Sequence, residues 1–202
     1  MRRVICSMGT SLDGYIVDAD GEFAWSKPDE ELFAFVTEEI RHVDAFVLGR
    51  RLYQTMLYWE NVDQLPGLSE AELVWARLWQ ALPKVVFSTT LTSVRGNTRL
   101  ARRGLAEEIE RLRAEPGDGD IAVGGAHLAA QAAELGVIDE YRIRVHPVLV
   151  GGGVPFFPRN ERHVDLELKE SRVFGSGVVY QRYRVTRQGP AARKPRDAGR
   201  EA

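Results

Sequence analysis

The chain has 202 residues, of which 44% are hydrophobic and 28% charged, with a formal net charge of −2 and a pI of about 6.1. That profile fits one soluble globular domain with a substantial core and excludes a basic field for phosphate-driven nucleic-acid binding. No apolar run approaches the roughly 20 residues that span a bilayer. The single cysteine, Cys6, lies in an apolar run and cannot form an internal disulfide, so a buried, unreactive thiol in a reducing cytoplasm is expected.

Arg3–Met8 is a short apolar strand. SLDGYIVDADGEF follows, with Asp-Gly turns at 13–14 and 20–21. Pro28, Asp29, Glu30 and Glu31 open a helix, in which Leu32, Phe33, Val36 and Ile40 recur at helical spacing. Ala45–Leu48 reads as a buried strand ending in Gly49, and Arg50–Met56 as a short helix. Ser69 starts a longer helix with a capping-box pattern, closed by Pro83. Val85–Phe87 is a further buried strand. Leu105–Leu112 is a helix, Ile121–Val123 a strand, and Ala126–Leu135 a helix ended by Gly136. Tyr141–Val150 reads as a long strand with Pro147 at an edge or bulge. Val164–Phe174 and Val178–Val185 flank Gly175-Ser176-Gly177 as a hairpin. From 188 to 202 the chain is rich in Pro, Gly and Arg without apolar periodicity, and is expected to be a disordered tail to a domain spanning 1–187. Alternating strands and helices followed by a hairpin predict an α/β domain with a mostly parallel sheet and an antiparallel end.

Ligands of open α/β sheets bind outside the carboxyl ends of the strands. Three predicted strands end there in phosphate-friendly chemistry: Gly49-Arg50-Arg51, Ser88-Thr89, and Gly124-Gly125 at the start of a helix. Glycine lets backbone N–H groups face an anion, the helix N-terminus adds a positive end, and arginine offers forked donors. A tight turn alone would also explain Gly124-Gly125, and surface exposure the two arginines; the coincidence of all three points to a nucleotide site. No G-x-G-x-x-G follows the first strand, so the usual dinucleotide fingerprint is missing. Four scattered histidines and one cysteine give no metal-ligand spacing, and no G-x-S-x-G is present.

The ordered series SLDGYI (11–16), Trp-Ser-Lys-Pro-acid (25–29), LGRRLY (48–53), FSTTL (87–91) and VGGAHL (123–128), with HPVLVGGGVPFF (146–157), resembles the dihydrofolate reductase-like superfamily. The likeness is strongest to the bacterial branch grouped with the riboflavin-biosynthesis reductase domain, over roughly residues 2–186. It implies a three-layer αβα fold with about eight strands and an antiparallel C-terminal hairpin, and an NADPH-dependent reductase active as a homodimer. It further implies that Gly49, Arg50 and Arg51 meet adenosine phosphates and that Ser88 and Thr89 border the 2′-phosphate or adenine. Gly124 and Gly125 would underlie the pyrophosphate, often joined by a cis peptide in the family. Ala126, His127 and Leu128 would open the helix aimed at the phosphates. Leu12, Gly14 and Ile16 would flank the nicotinamide.

Asp13 and Glu30 are the candidate catalytic carboxylates, each able to polarise substrate or hold a water; an Asp-Gly turn and a helix first turn are the alternatives. Trp25, Asp29, Phe33, Tyr53 and Trp59 are the expected substrate-side residues. The stretch YQTMLYWENVDQLPG lacks the Asp-Pro-x-Leu-x-x-Arg pattern that grips a ribityl phosphate in the riboflavin branch. Its aromatics suit a flatter, more apolar ligand or, equally, a core patch. Two functions follow: a reductase acting on a pterin-, flavin- or pyrimidine-like heterocycle or a carbonyl, or a non-catalytic module that binds NADPH or a flavin. The partners expected are a small molecule and a second copy, with neither nucleic acid nor membrane.

Overall fold

The computed structural model describes residues 2–64, 67–157 and 163–186; the proposed tail lies outside the described residues. The four short apolar runs become the centre of a sheet because each is buried on both faces. They are β1 (Val4–Ser11), β3 (Val43–Gly49), β4 (Lys84–Phe87) and β6 (Asp120–Gly124). With β5 (Thr98–Leu100), β7 (Glu140–His146), β9 (Leu166–Val173) and β10 (Val179–Val185) they form an eight-stranded sheet of order β5-β4-β3-β6-β1-β7-β10-β9. The first six run parallel, and β10 and β9 close the sheet as an antiparallel hairpin. This is the three-layer arrangement expected.

Each face is set by strand alternation. Val4, Cys6, Val47, Ile121, Val123 and Ile143 pack with α4 (Leu105–Ala114) and α5 (Ala126–Glu134). Burial pushes the Cys6 thiol up to about 12, with a smaller opposing pull from Arg144, so the thiol stays protonated. On the opposite face lie α1 (Glu30–Ile40), α2 (Arg50–Met56) and α3 (Glu70–Ala81). Here Ile40, Trp75, Trp79 and Leu82 form a separate apolar cluster. Asp29 caps α1 by accepting from the Leu32 N–H at 2.8 Å, and Ser69 and Glu72 form the capping box of α3. Glycines stand at the N-caps of α2, α4 and α5 with no side-chain cap.

Two features depart from the sequence reading. β7 ends at His146 rather than 150: Pro147 has no N–H to extend the ladder, and β1 supplies its last pairing at Ser11 opposite His146. Beyond it the chain forms β8 (Val154–Pro155), which pairs with β2 (Tyr15–Val17) in a two-stranded ribbon. All eight residues of the edge strand β9 are exposed, Val173 at 72%.

Candidate functional site

A cleft of about 1640 Å³ opens across the carboxyl ends of β1, β3, β4 and β6. Its floor at one point is Gly125, where the chain leaves β6 and enters α5 with φ +90° and ψ 127°. A residue with a Cβ is strained in that conformation. Space is not the constraint, since an added Cβ would meet nothing closer than Leu52 Cβ at 3.8 Å and the Gly49 nitrogen at 3.9 Å. Gly49, Ala126, His127 and Leu128 join Gly125 in lining the cleft, so the N-terminal ends of α2 and α5 both open into it.

Gly124 is different and does not line the cleft. A Cβ there would come within 2.5 Å of Leu52 Cδ2 and 2.6 Å of Phe46 Cε1. Its glycine serves close packing of α2 on the sheet, which corrects its expected place under a pyrophosphate. The peptide bond joining the pair is trans, like every other among the described residues.

One end of the cleft is cationic and hydroxylated. Arg50 and Arg51 on α2, Ser88, Thr89 and Thr90 after β4, and Arg102 and Arg103 after β5 surround it. The Ser88 hydroxyl accepts from the N–H groups of Thr90 (3.1 Å) and Leu91 (3.0 Å), which fixes that turn. Among the described residues, none of the four guanidinium groups has an ion-pair or hydrogen-bond partner. By contrast Arg99, close by in sequence, is clamped on Glu108 through two nitrogens. Arg102 and Arg103 were not anticipated from the sequence, because β5 is only three residues long and carries no apolar run to announce it.

The other end is lined by Met8, Gly9, Ile16, Leu32, Val36, Arg144 and His146. Ile16 lines the cleft. Leu12 and Gly14 do not line the cleft: the Leu12 side chain is 64% exposed, its N–H donates to Val148 O, and Gly14 forms a turn whose carbonyl accepts from Phe156. Neither candidate carboxylate reaches this end. Asp13 accepts from the Ser11 hydroxyl (2.6 Å) and the N–H groups of Gly151 (2.8 Å) and Val150 (3.2 Å). The Ser11 bond first, then the backbone donors, hold its pKa below the usual carboxylate value; it is an ionised clamp on the 150s loop. Glu30 is exposed in the first turn of α1, and Asp29 is that helix's cap.

Three of the expected substrate-side aromatics belong to the core. Phe33 and Trp59 stack with Trp75 at 5.9 and 6.2 Å between ring centroids, and buried Tyr53 accepts from the Arg95 N–H at 2.7 Å. Aromatic side chains fill cores as readily as they line ligand sites, so their residue types could not separate the two. Trp25 alone touches the site, edge-on to His146 at 5.8 Å with a buried, unpartnered Nε1. His146 and Arg144 were missed. The period-two pattern of YRIRVH on β7 was the signal that could have found them, since it turns Arg142, Arg144 and His146 to one face.

A polar row supports that face. Arg144 donates to the Ser7 hydroxyl at 2.8 Å and to Glu39 of α1 at 3.1 Å. Glu39 also accepts from the Tyr180 hydroxyl at 2.9 Å, and Arg142 bridges Glu140 and Asp120 at 2.7 Å each.

The RibD C-terminal domain family model matches residues 2–180. The chain belongs to that family. The chain is also 30% identical over 178 residues to the uncharacterised Bacillus subtilis protein YyaP, covering 88% of this chain and 92% of the relative. A Shewanella sp. PV-4 protein named provisionally for riboflavin biosynthesis superposes with a TM-score of 0.73 at 27% identity, over 92% of this chain and 99% of that one. The bifunctional diaminohydroxyphosphoribosylaminopyrimidine deaminase/5-amino-6-(5-phosphoribosylamino)uracil reductase of Thermotoga maritima superposes at 0.64. At 14% identity that likeness is one of fold alone, and it covers 92% of this chain but 57% of the enzyme. The RibD C-terminal family thus sits here on the dihydrofolate reductase-like fold expected from the sequence. No helix among the described residues is long and apolar enough to cross a membrane.

Proposed function

We propose that this RibD C-terminal family protein is an NADPH-dependent reductase of a small carbonyl- or imine-bearing compound. The observation that carries this reading is the set of four arginines without a partner among the described residues, with Ser88 and Thr89, at one end of a cleft whose middle is the strained Gly125 turn. That is a donor set for several phosphate oxygens, and the turn leaves room where a Cβ would otherwise stand. An extended dinucleotide fits the distribution: phosphate-binding groups at one end, and an apolar chamber of Met8, Ile16, Leu32 and Val36 at the other. The family membership points the same way.

In this reading the free N–H groups at the start of α5 and the Gly125 backbone hold the pyrophosphate. Arg50 and Arg51, with Arg102 and Arg103, neutralise the 2′-phosphate. Ile16 and Met8 bound the nicotinamide, which supplies a hydride when bound. Leu32 and Val36 exclude water from the chamber, and Arg144 and His146 give its wall hydrogen-bonding groups. The only carboxylates lining the whole cleft among the described residues are Asp18 and Asp20. A cationic substrate therefore has no carboxylate from Asp13, Asp29 or Glu30 to pair with.

Calorimetric titration with NADPH, followed by NADPH oxidation on a panel of pterins, flavins, pyrimidinones and simple carbonyls, tests the reading. Binding with turnover supports a reductase. Binding without turnover of any panel member favours the non-catalytic module; absence of NADPH binding removes the reductase, and absence of flavin binding in a parallel titration removes the module as well.

A further inference from the structure

His146 is an unusual group for a cleft wall. Its residue is only 5% exposed, yet its ring lines the cleft and makes no hydrogen bond to any described residue. Buried polar groups normally find a partner. A ring that faces a cleft without one is placed to take its partner from a ligand. Gly9, on the neighbouring strand, leaves the ring uncovered: a Cβ there would stand 3.2 Å from His146 Nε2. Trp25 packs edge-on against the ring itself, at 5.8 Å between ring centroids. The ring lines the cleft together with Met8, Gly9, Leu32 and Val36.

The two carboxylates suggested by the sequence are elsewhere, so the proton that must accompany hydride transfer needs another source. We propose that His146 is the catalytic proton donor, set beside the reacting end of the bound nicotinamide. This rests on the reductase reading above. Hydride from NADPH adds to the carbon of a C=O or C=N bond. The electron pair of that bond moves onto oxygen or nitrogen, which takes the proton of the His146 imidazolium. The products are NADP⁺, the alcohol or amine, and neutral imidazole, which regains its proton from water.

The charged and titratable groups sharing this end of the cleft are few. Arg144 stands two residues away on the same strand, its charge partnered by Glu39 of α1, which also holds the Tyr180 hydroxyl of β10. Asp18 and Asp20 line the cleft from the loop after β2. Burial, then Arg144, lower the His146 pKa below its ordinary 6.5, so the imidazolium is a stronger acid but a smaller fraction of the ring carries the proton at neutral pH, and turnover should rise as pH falls.

The decisive measurement needs no substrate. NADP⁺ carries a full positive charge on the nicotinamide ring that NADPH lacks, while the phosphates of the two are the same. The four histidine ring signals are titrated by proton NMR with the full-length protein saturated by each cofactor. His146→Gln assigns the signal; if that variant does not fold, substitution of the exposed His42, His127 and His163 assigns it by elimination. The expected result is a His146 pKa lower by about one unit with NADP⁺ than with NADPH, the effect of one charge at about 8 Å and an effective dielectric of about 30. His127, beside the phosphates, should titrate alike in both. Equal His146 values in the two saturated complexes would overturn the proposal and leave the reductase reading standing. Failure of either cofactor to bind by calorimetry would remove the reductase reading, and the proposal with it.

Discussion

The two adjacent glycines of the β6–α5 junction make separable demands, and two single substitutions should expose them. In Gly125→Ala the new Cβ has room, but the backbone at φ +90° and ψ 127° is strained for any L side chain. The cost is about 1–3 kcal/mol if the conformation is kept. If it relaxes instead, the first N–H groups of α5 turn away from the cleft. In Gly124→Ala the backbone is ordinary, but the Cβ collides with Leu52 Cδ2 at 2.5 Å and the Phe46 ring at 2.6 Å. The Leu52 end can swing aside, whereas the Phe46 ring is held edge-on to buried Trp79 at 5.5 Å between ring centroids. Overpacking of this kind costs about 1–3 kcal/mol. For a domain of this size each kcal/mol lowers Tm by about 2–4 °C, so both variants should melt about 2–12 °C below the parent. They should part in calorimetric titration with NADPH at a temperature where each is folded. Gly124→Ala should keep its affinity within about threefold, a difference of about 0.7 kcal/mol. Gly125→Ala should lose binding at least tenfold. The reverse pattern, with Gly125→Ala binding like the parent and Gly124→Ala failing, would refute the assignment of the cofactor cradle to Gly125.

Three further outcomes follow from the site and the sheet edge. NADPH should bind roughly ten- to hundredfold more tightly than NADH, because a charge-assisted contact is worth about 1.5–3 kcal/mol and, in the proposed reading, the 2′-phosphate meets arginines that have no partner among the described residues. The preference should shrink as salt is raised, and equal dissociation constants for the two would refute the reading of that end. His146→Gln should make the fold less sensitive to mild acid. The folded ring has a pKa below 6.5, so as pH falls through 6.5 the unfolded chain takes up a proton that the folded chain refuses, and stability is lost. Urea midpoints at pH 7.5 and 5.5 should therefore differ less in the variant than in the parent, and an unchanged difference would count against a buried, neutral ring. Finally, we propose that the protein is a homodimer joined along β9, where Leu166, Leu168 and Val173 are exposed on an unpaired edge. Light scattering should give about twice the 22.7 kDa of one chain, and Leu168→Lys should halve it; a parent mass of one chain would end the proposal.

The strand-end half of the cleft was legible in the sequence because backbone requirements dominate it. A strand buried on both faces must be a short apolar run, and its carboxyl end is then fixed to within a residue. The positions of Gly49, Ser88 and Gly125 follow from such runs alone. The opposite half is built by side chains on β7 and α1, whose directions depend on register. The long apolar reading of Tyr141–Val150 obscured the alternation of Arg142, Arg144 and His146 beneath it. The acidic residues drew attention for their chemistry, yet Asp13 is consumed by Ser11, Val150 and Gly151, and Asp29 by the Leu32 N–H.

The fate of those carboxylates bears on what the fold is used for. A carboxylate that is hydrogen-bonded by three donors is held ionised and is poorly suited to give up a proton near neutral pH. Asp13 meets that description. An imidazole with no partner among the described residues and a lowered pKa meets the opposite one. The chamber therefore combines a group whose protonated form gives up its proton readily with an apolar wall, and Arg144 beside it is pinned by Ser7 and Glu39 rather than free to neutralise a second anion. Such a chamber favours a neutral or weakly anionic acceptor whose developing negative charge is met by His146 as it forms. In the proposed reading, specificity for the acceptor turns on the β7 face and the Leu32–Val36 wall of α1, while the arginine end selects the phosphorylated dinucleotide.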